Sequence, residues 1–183
     1  MNTNPKLNCK ILAGTVHIAT VSEFLAVLSQ IAQEYAVTIQ AMDATLIASE
    51  DHIKAAVDKA VRAVAKNQGI TSDLGLEILL YASGRRQIGR ALAMGVTEGE
   101  KKVAVVIVDA EGRRDLEVVA EDVKRATGLV EMPLQDLEVD PNEEKKEHLK
   151  RFFAITEAEL NAVGEEKLKL LVLERVALLD VLK

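Results

Sequence analysis

Lys102-Val-Ala-Val-Val-Ile-Val-Asp109 is the stretch that decides the fold. Its apolar residues run without a polar break, so it reads as a central strand covered on both faces. Glu111-Gly112 turns the chain. Asp115 to Thr127 follows as a helix, with Leu116, Val119, Val123 and Ala126 on one side and Gly128 as its stop. Leu129 to Met132 reads as a short strand before Pro133.

Upstream, Leu7 to Ile18 reads as extended, with Leu7, Cys9, Ile11 and Ala13 alternating and Gly14 breaking or bulging the run. Thr20-Val-Ser-Glu23 has the pattern of a capping box. It opens an amphipathic helix carrying Phe24, Leu28 and Ile31 and ending near Tyr35. Val37 to Met42 is a short strand. Ser49 caps a helix from Glu50 to Asn67 that buries Ile53, Ala56, Val57, Ala60, Val61 and Val64, with Gly69 suited to the left-handed position after it. Asp73 or Ser72 caps a second helix ending at Ser83-Gly84. A short third helix spans Arg85 to Met94, with Ile88, Ala91 and Leu92 inward.

Beyond Asp136 the chain becomes highly charged. A helix is expected to begin at Pro141 and to dock through Phe152, Phe153 and Ile155. Thr156-Glu-Ala-Glu159 is another capping box. Glu165 to Leu182 is a leucine-rich helix whose apolar positions exceed one stripe, so it is either deeply buried or keeps a face for a partner. Helices outnumber strands. The expectation is one α/β (α+β) domain over residues 1–183, a small mixed sheet flanked by several helices.

Composition narrows the chemistry. Aromatics are 3% of 183 residues and Trp is absent, so platforms for stacking unpaired bases are scarce. The formal charge of -6 argues against bulk nucleic-acid binding, leaving only a local basic patch. Cys9 is the sole cysteine, which excludes an intramolecular disulfide. His17, His52 and His148 are far apart and form no metal motif, so no metal and no cofactor is expected. Cys9 reads as a core or surface thiol. The amino end, MNTNPKLNCK, has no signal-peptide pattern, and no apolar run is long enough to span a bilayer. A cytoplasmic protein without membrane contact is expected.

Two cationic segments stand out. Ser83-Gly-Arg-Arg-Gln-Ile-Gly89 puts Gly84, Arg85, Arg86 and Gln87 at a helix start, where free N–H groups and guanidinium charge suit one phosphate. It lacks the spacing of a nucleotide-hydrolysing loop, and a helix corner with solvated arginines reads the same way. Lys59, Arg62 and Lys66 fall on one helical face, with Asn67, Gln68 and Ser72 extending the polar surface. Alone, this is also an ordinary solvated face. Should the two segments meet, four or five cations converge, which suits an RNA backbone.

Leu76-Glu-Ile-Leu-Leu-Tyr-Ala-Ser-Gly-Arg-Arg-Gln-Ile-Gly-Arg-Ala-Leu92 resembles the central motif of the kinase-binding subunits of the KEOPS (EKC) complex. So do Gly95-Val-Thr-Glu-Gly before the decisive strand, His17-Ile-Ala, the helix Ile53 to Ala60, and Ile155-Thr-x-x-Glu-Leu160. The resemblance covers nearly the whole chain and is nearest the compact archaeal members. It implies a mixed α/β fold without an active site. The implied partners are the small atypical kinase-ATPase subunit and, indirectly, the threonylcarbamoyl transferase subunit. It also implies a role in threonylcarbamoyladenosine modification of tRNA, whose 3′ CCA end archaeal-like members hold.

On this sequence the tRNA-facing residues are then Lys59, Arg62, Lys66, Ser72, Gly84, Arg85, Arg86 and Gln87. Gly84 allows close backbone approach, the cations take phosphates, and Gln87 or Ser72 reads base edges. The kinase-facing surface is expected in the carboxy-terminal half, around Ile155, Leu160 and Leu178. Two other readings stay open. One is an enzyme using the Gly84–Gln87 corner for a phosphorylated metabolite, with Glu77 as its acid or base. The other is a structural homo-oligomer built on the leucine-rich end.

Overall fold

The structure, a computed structural model, describes residues 7–182, so the reading of the extreme amino end falls outside the described residues. Four strands and eight helices follow in order: β1 (Asn8–Ile18), α1 (Val21–Tyr35), β2 (Thr38–Asp43), α2 (Glu50–Ala65), α3 (Leu74–Ser83) and α4 (Ile88–Ala91). Then come β3 (Gly99–Asp109), α5 (Leu116–Thr127), β4 (Val130–Met132), α6 (Glu143–Phe153), α7 (Glu157–Val163) and α8 (Leu168–Leu182).

The sheet order is β2-β3-β1-β4. The helices α1 and α5 each connect two parallel strands that are held apart by a third. Every pair of neighbours is therefore antiparallel. A mixed sheet was expected; the skipped strand is what removes the parallel contacts. This is the β-α-β-β-α-β arrangement of ferredoxin-like folds, with α2 to α4 inserted between β2 and β3 and α6 to α8 appended.

β3 is the central strand its apolar run predicts. Val103, Val105 and Ile107 face α1 and α5, joining Leu12, Val16, Phe24, Leu28, Val119 and Val123. Ala104, Val106 and Val108 face the other way, toward Ile53, Val57, Ile78, Leu80, Phe153, Val172 and Val176. The two-residue period of a strand thus feeds two cores at once. Each buried Val or Ile contributes about 1.5–3 kcal/mol relative to exposure.

Gly14 neither breaks nor bulges β1, which pairs with β3 residue for residue from Asn8 to Ile18. A Cβ there would lie 2.5 Å from both Leu129 Cδ2 and the Val130 carbonyl oxygen, so the glycine admits β4 at close range. At the opposite edge, Gly75 lets the first turn of α3 come against Thr38 and Gln40 of β2.

Several helix ends follow the sequence. Ser49 accepts from His52 N–H, Asp73 from Leu76 N–H and Asp115 from Glu117 N–H, and the Thr156/Glu159 box is complete in both directions. Others do not. Thr20 makes no side-chain cap bond. The left-handed residue after α2 is Asn67 rather than Gly69. Asn142, not Pro141, caps α6. Ile88 and Leu92 point outward, because the Arg85–Met94 segment makes only one α-helical turn and a 3-10 turn over buried Ala91 and Met94.

Candidate functional site

The inserted helices and α8 create two cationic recesses. The first holds about 480 Å³ and is lined by Lys59, Arg62, Lys66, Gln68, Tyr81 and Asp180. One face of α2 supplies Lys59, Arg62 and Lys66, at the spacing that the sequence predicts. Lys59 Nζ donates to Asp180 Oδ2 at 2.6 Å, and the Tyr81 hydroxyl donates to Asp180 Oδ1. Arg62 pairs with Asp58 one turn back. Lys66 ends α2 and is exposed. Burial, with the Asp180 carboxylate adding to it, raises the Tyr81 phenol pKa, so the hydroxyl stays a donor.

Ser72 lies exposed on the loop leaving this recess. Glu77 holds that loop. Its buried carboxylate accepts from Ile70 N–H at 3.1 Å and Thr71 N–H at 3.1 Å. Glu77 is therefore neither a solvated helix charge nor a group facing a substrate at the arginine corner. It is the fastening that sets where the polar loop runs.

The second recess, of about 250 Å³, is lined by Ser83, Gly84, Arg85, Phe153, Ala154 and Arg175. Gly84 sits left-handed at φ +62, and a Cβ on it would meet the Arg175 carbonyl oxygen at 3.1 Å. The close approach foreseen for RNA is thus taken up by α8. Arg85 is also committed within the chain. Its guanidinium donates to the Phe152 carbonyl at 2.5 Å and lies over the Phe152 ring. Arg175 donates to Phe153 O at 3.4 Å and to Glu159 Oε1 at 2.6 Å. The Arg175 guanidinium, assisted by the Thr156 N–H, holds the Glu159 carboxyl down at about 2. Arg86 and Gln87 are exposed beside this corner.

The two recesses are separate, and α8 runs past both, giving Asp180 to one and Arg175 to the other. Lys59, Arg62 and Lys66 share a recess, Gly84 and Arg85 share the other, and Ser72, Arg86 and Gln87 line neither. Sequence reasoning missed Tyr81 and Asp180. Tyr81 passes for an apolar helix position. Asp180 is a lone acid in Val176-Ala-Leu-Leu-Asp-Val-Leu182, a polar break that could have drawn notice.

Of the residues foreseen as partner-facing, Ile155 and Leu160 are core residues, 6% and 0% exposed. They dock α7 beneath α8 and offer nothing to a partner. Leu178 is on the surface, with Leu170, Val181 and Leu182. The leucine surplus of α8 is split: Leu168, Leu171, Val172, Val176 and Leu179 go inward, and a second apolar stripe stays outside.

Elsewhere, burial pushes the Cys9 thiol up to about 11, which leaves it protonated and a poor nucleophile at neutral pH. His52 is wholly buried. Its Nδ1 accepts from Ala48 N–H at 3.1 Å and its Nε2 donates to Ala82 O at 2.7 Å; burial lowers it to about 4, so it is neutral at pH 7. Among the described residues no cluster of three potential ligands could hold a metal ion, and no helix is long and apolar enough to cross a membrane.

A family model described as kinase binding protein CGI-121 matches residues 18–180. No curated protein matches the chain.

Proposed function

The chain belongs to the family of kinase binding protein CGI-121, and from that premise we propose that it is a non-catalytic accessory subunit of the KEOPS complex. In this reading it docks on the small atypical kinase-ATPase subunit and regulates it. Through that subunit it joins the threonylcarbamoyl transferase indirectly, and it helps to recruit tRNA by the 3′ CCA end.

The observation that carries the reading is the family match over nearly the whole chain. Two surface features agree with it. The outer stripe of α8, with Val181 at 78% and Leu170 at 58% exposed, is an apolar face without a cover in the described residues. A partner would bury it, and Leu178 lies within it. Lys59, Arg62 and Lys66 give an acidic protein a local concentration of positive charge, suited to phosphates. Ser72 is exposed on the loop that leaves this recess, while Arg86 and Gln87 are exposed beside the separate Gly84 corner; Arg85 contributes through the corner it holds in shape.

The kinase half is tested by titrating the purified kinase-ATPase subunit with wild-type protein and with Leu178→Glu. Wild type should bind, and the charged variant should lose at least tenfold in affinity while keeping its melting temperature. The RNA half is tested by gel shift with intact tRNA and tRNA trimmed of its terminal nucleotides. Binding only to the intact form is expected. Equal binding to both would remove the CCA end from the proposal.

A further inference from the structure

We propose that Asp180 is an internal stand-in for the RNA phosphate, so that α8 latches the cationic recess shut and its release sets the affinity for RNA. The proposal deepens the RNA half of the function above and rests on it for the identity of the ligand.

The geometry is that of an occupied anion site. The two carboxylate oxygens of Asp180 divide between two donors from different helices, Lys59 Nζ on α2 and the Tyr81 hydroxyl on α3. A phosphate takes the same kind of contacts: one cation and one neutral O–H donor on adjacent oxygens. The acid comes from the last turn of the terminal helix, among residues with little else inward. Leu179 is buried, but Asp180, Val181 and Leu182 are exposed. The Lys59–Asp180 pair is itself partly solvated, with the side chains 22% and 45% exposed. Pairs of this kind contribute little net stability because water and salt screen them. An arriving phosphate would replace the carboxylate by taking over the same two donors, Lys59 Nζ and the Tyr81 hydroxyl, whereas a carboxylate left in place repels it. Arg62 is balanced in the same way by Asp58, but from its own helix; Asp180 reaches Lys59 from a different helix.

The stripe that the partner is proposed to cover includes Leu178, Val181 and Leu182, on either side of Asp180 in sequence. A partner that grips α8 thus engages the same helix that carries the latch acid, from another of its faces, and any coupling between the two is reciprocal.

The test uses the full chain as wild type, Asp180→Asn, Glu174→Gln and the double variant Lys59→Gln/Asp180→Asn. Asn keeps an acceptor for Tyr81, removes the charge and replaces the oxygen that meets Lys59 with an amide NH2. Glu174→Gln removes the same charge from an exposed position elsewhere on α8. Affinity for intact tRNA is measured across a salt series. Asp180→Asn should bind at least threefold tighter, with a salt slope steeper by about one, as Lys59 becomes a phosphate contact. Glu174→Gln should stay near wild type, and the double variant should lose the gain. If wild type binds tRNA and Asp180→Asn matches it or Glu174→Gln, or if the gain survives without Lys59, there is no latch. Inorganic tripolyphosphate, titrated into the same four proteins, separates the two ideas. A Lys59-dependent gain there, with no variant binding tRNA, keeps the latch and removes the RNA reading. No gain with either probe removes the latch.

Discussion

The two recesses along α8 are both cationic, and they use their charge in opposite ways. At the Gly84 corner the guanidinium groups of Arg85 and Arg175 bind main-chain carbonyls of Phe152 and Phe153, and Glu159 is locked against Arg175. Main-chain carbonyls cannot leave, so these cations are mortar between α3, α6, α7 and α8. At the Lys59 recess the charged partners are side-chain carboxylates on solvated helix faces, which can swing away. A main-chain acceptor there, the Asp58 carbonyl taken by Arg62 Nε at 3.3 Å, lies within the same helix. An arginine in a glycine-flanked corner is thus no guide to ligand binding until its acceptor is known. On the proposal above, the exchangeable pair, not the denser cluster, is where a ligand would compete.

Four experiments put that contrast at risk. The largest effect belongs to His52, which backs the Gly84 corner through Ala82 O and an edge contact with Phe153. Its folded pKa of about 4 lies below the unfolded 6.5. Between those values the unfolded chain holds the extra proton, so stability is full above about pH 6.5 and falls as the pH drops. The loss should reach about 3 kcal/mol by pH 4. Urea melts from pH 7 to 4 should follow that decline in wild type and show a shallower one in His52→Gln. Gly84→Ala comes next. A left-handed alanine pressed against α8 should cost about 1–2 kcal/mol by chemical denaturation, with the salt slope of RNA binding unchanged. Thr156→Ala removes the capping box that orients Glu159, and should cost about 1 kcal/mol. Lys66→Gln, on the exchangeable side, should move stability by less than about 0.5 kcal/mol. It should nevertheless flatten the salt slope of tRNA binding by about one. A stability loss there comparable to Gly84→Ala would erase the distinction between the recesses.

Local signals carried much of this into the sequence. The unbroken apolar run of β3 announced a strand covered twice, and Asp73, Ser49 and Thr156 announced their helix starts through side-chain chemistry within three residues. What stayed illegible depends on distant partners. Gly14 looked like a bulge because Leu129 and Val130, which need its missing Cβ, are far along the chain. Gly84 and Arg85 looked like ligand groups because Phe152 and Arg175 were not in view. Ile155 and Leu160 share their composition with surface leucines of α8, and only packing separates them. The spacing of Lys59, Arg62 and Lys66 was readable as one helical face; that Asp180 closes it was not.

The edges of the sheet carry one more consequence. β4 is only three residues long, and β2 has the start of α3 seated against it, an approach that Gly75 permits. Both edge strands are short, six residues in β2 and three in β4, and short edges limit edge-to-edge pairing. An association through the outer face of α8, as proposed above, would form and come apart without any strand being unzipped.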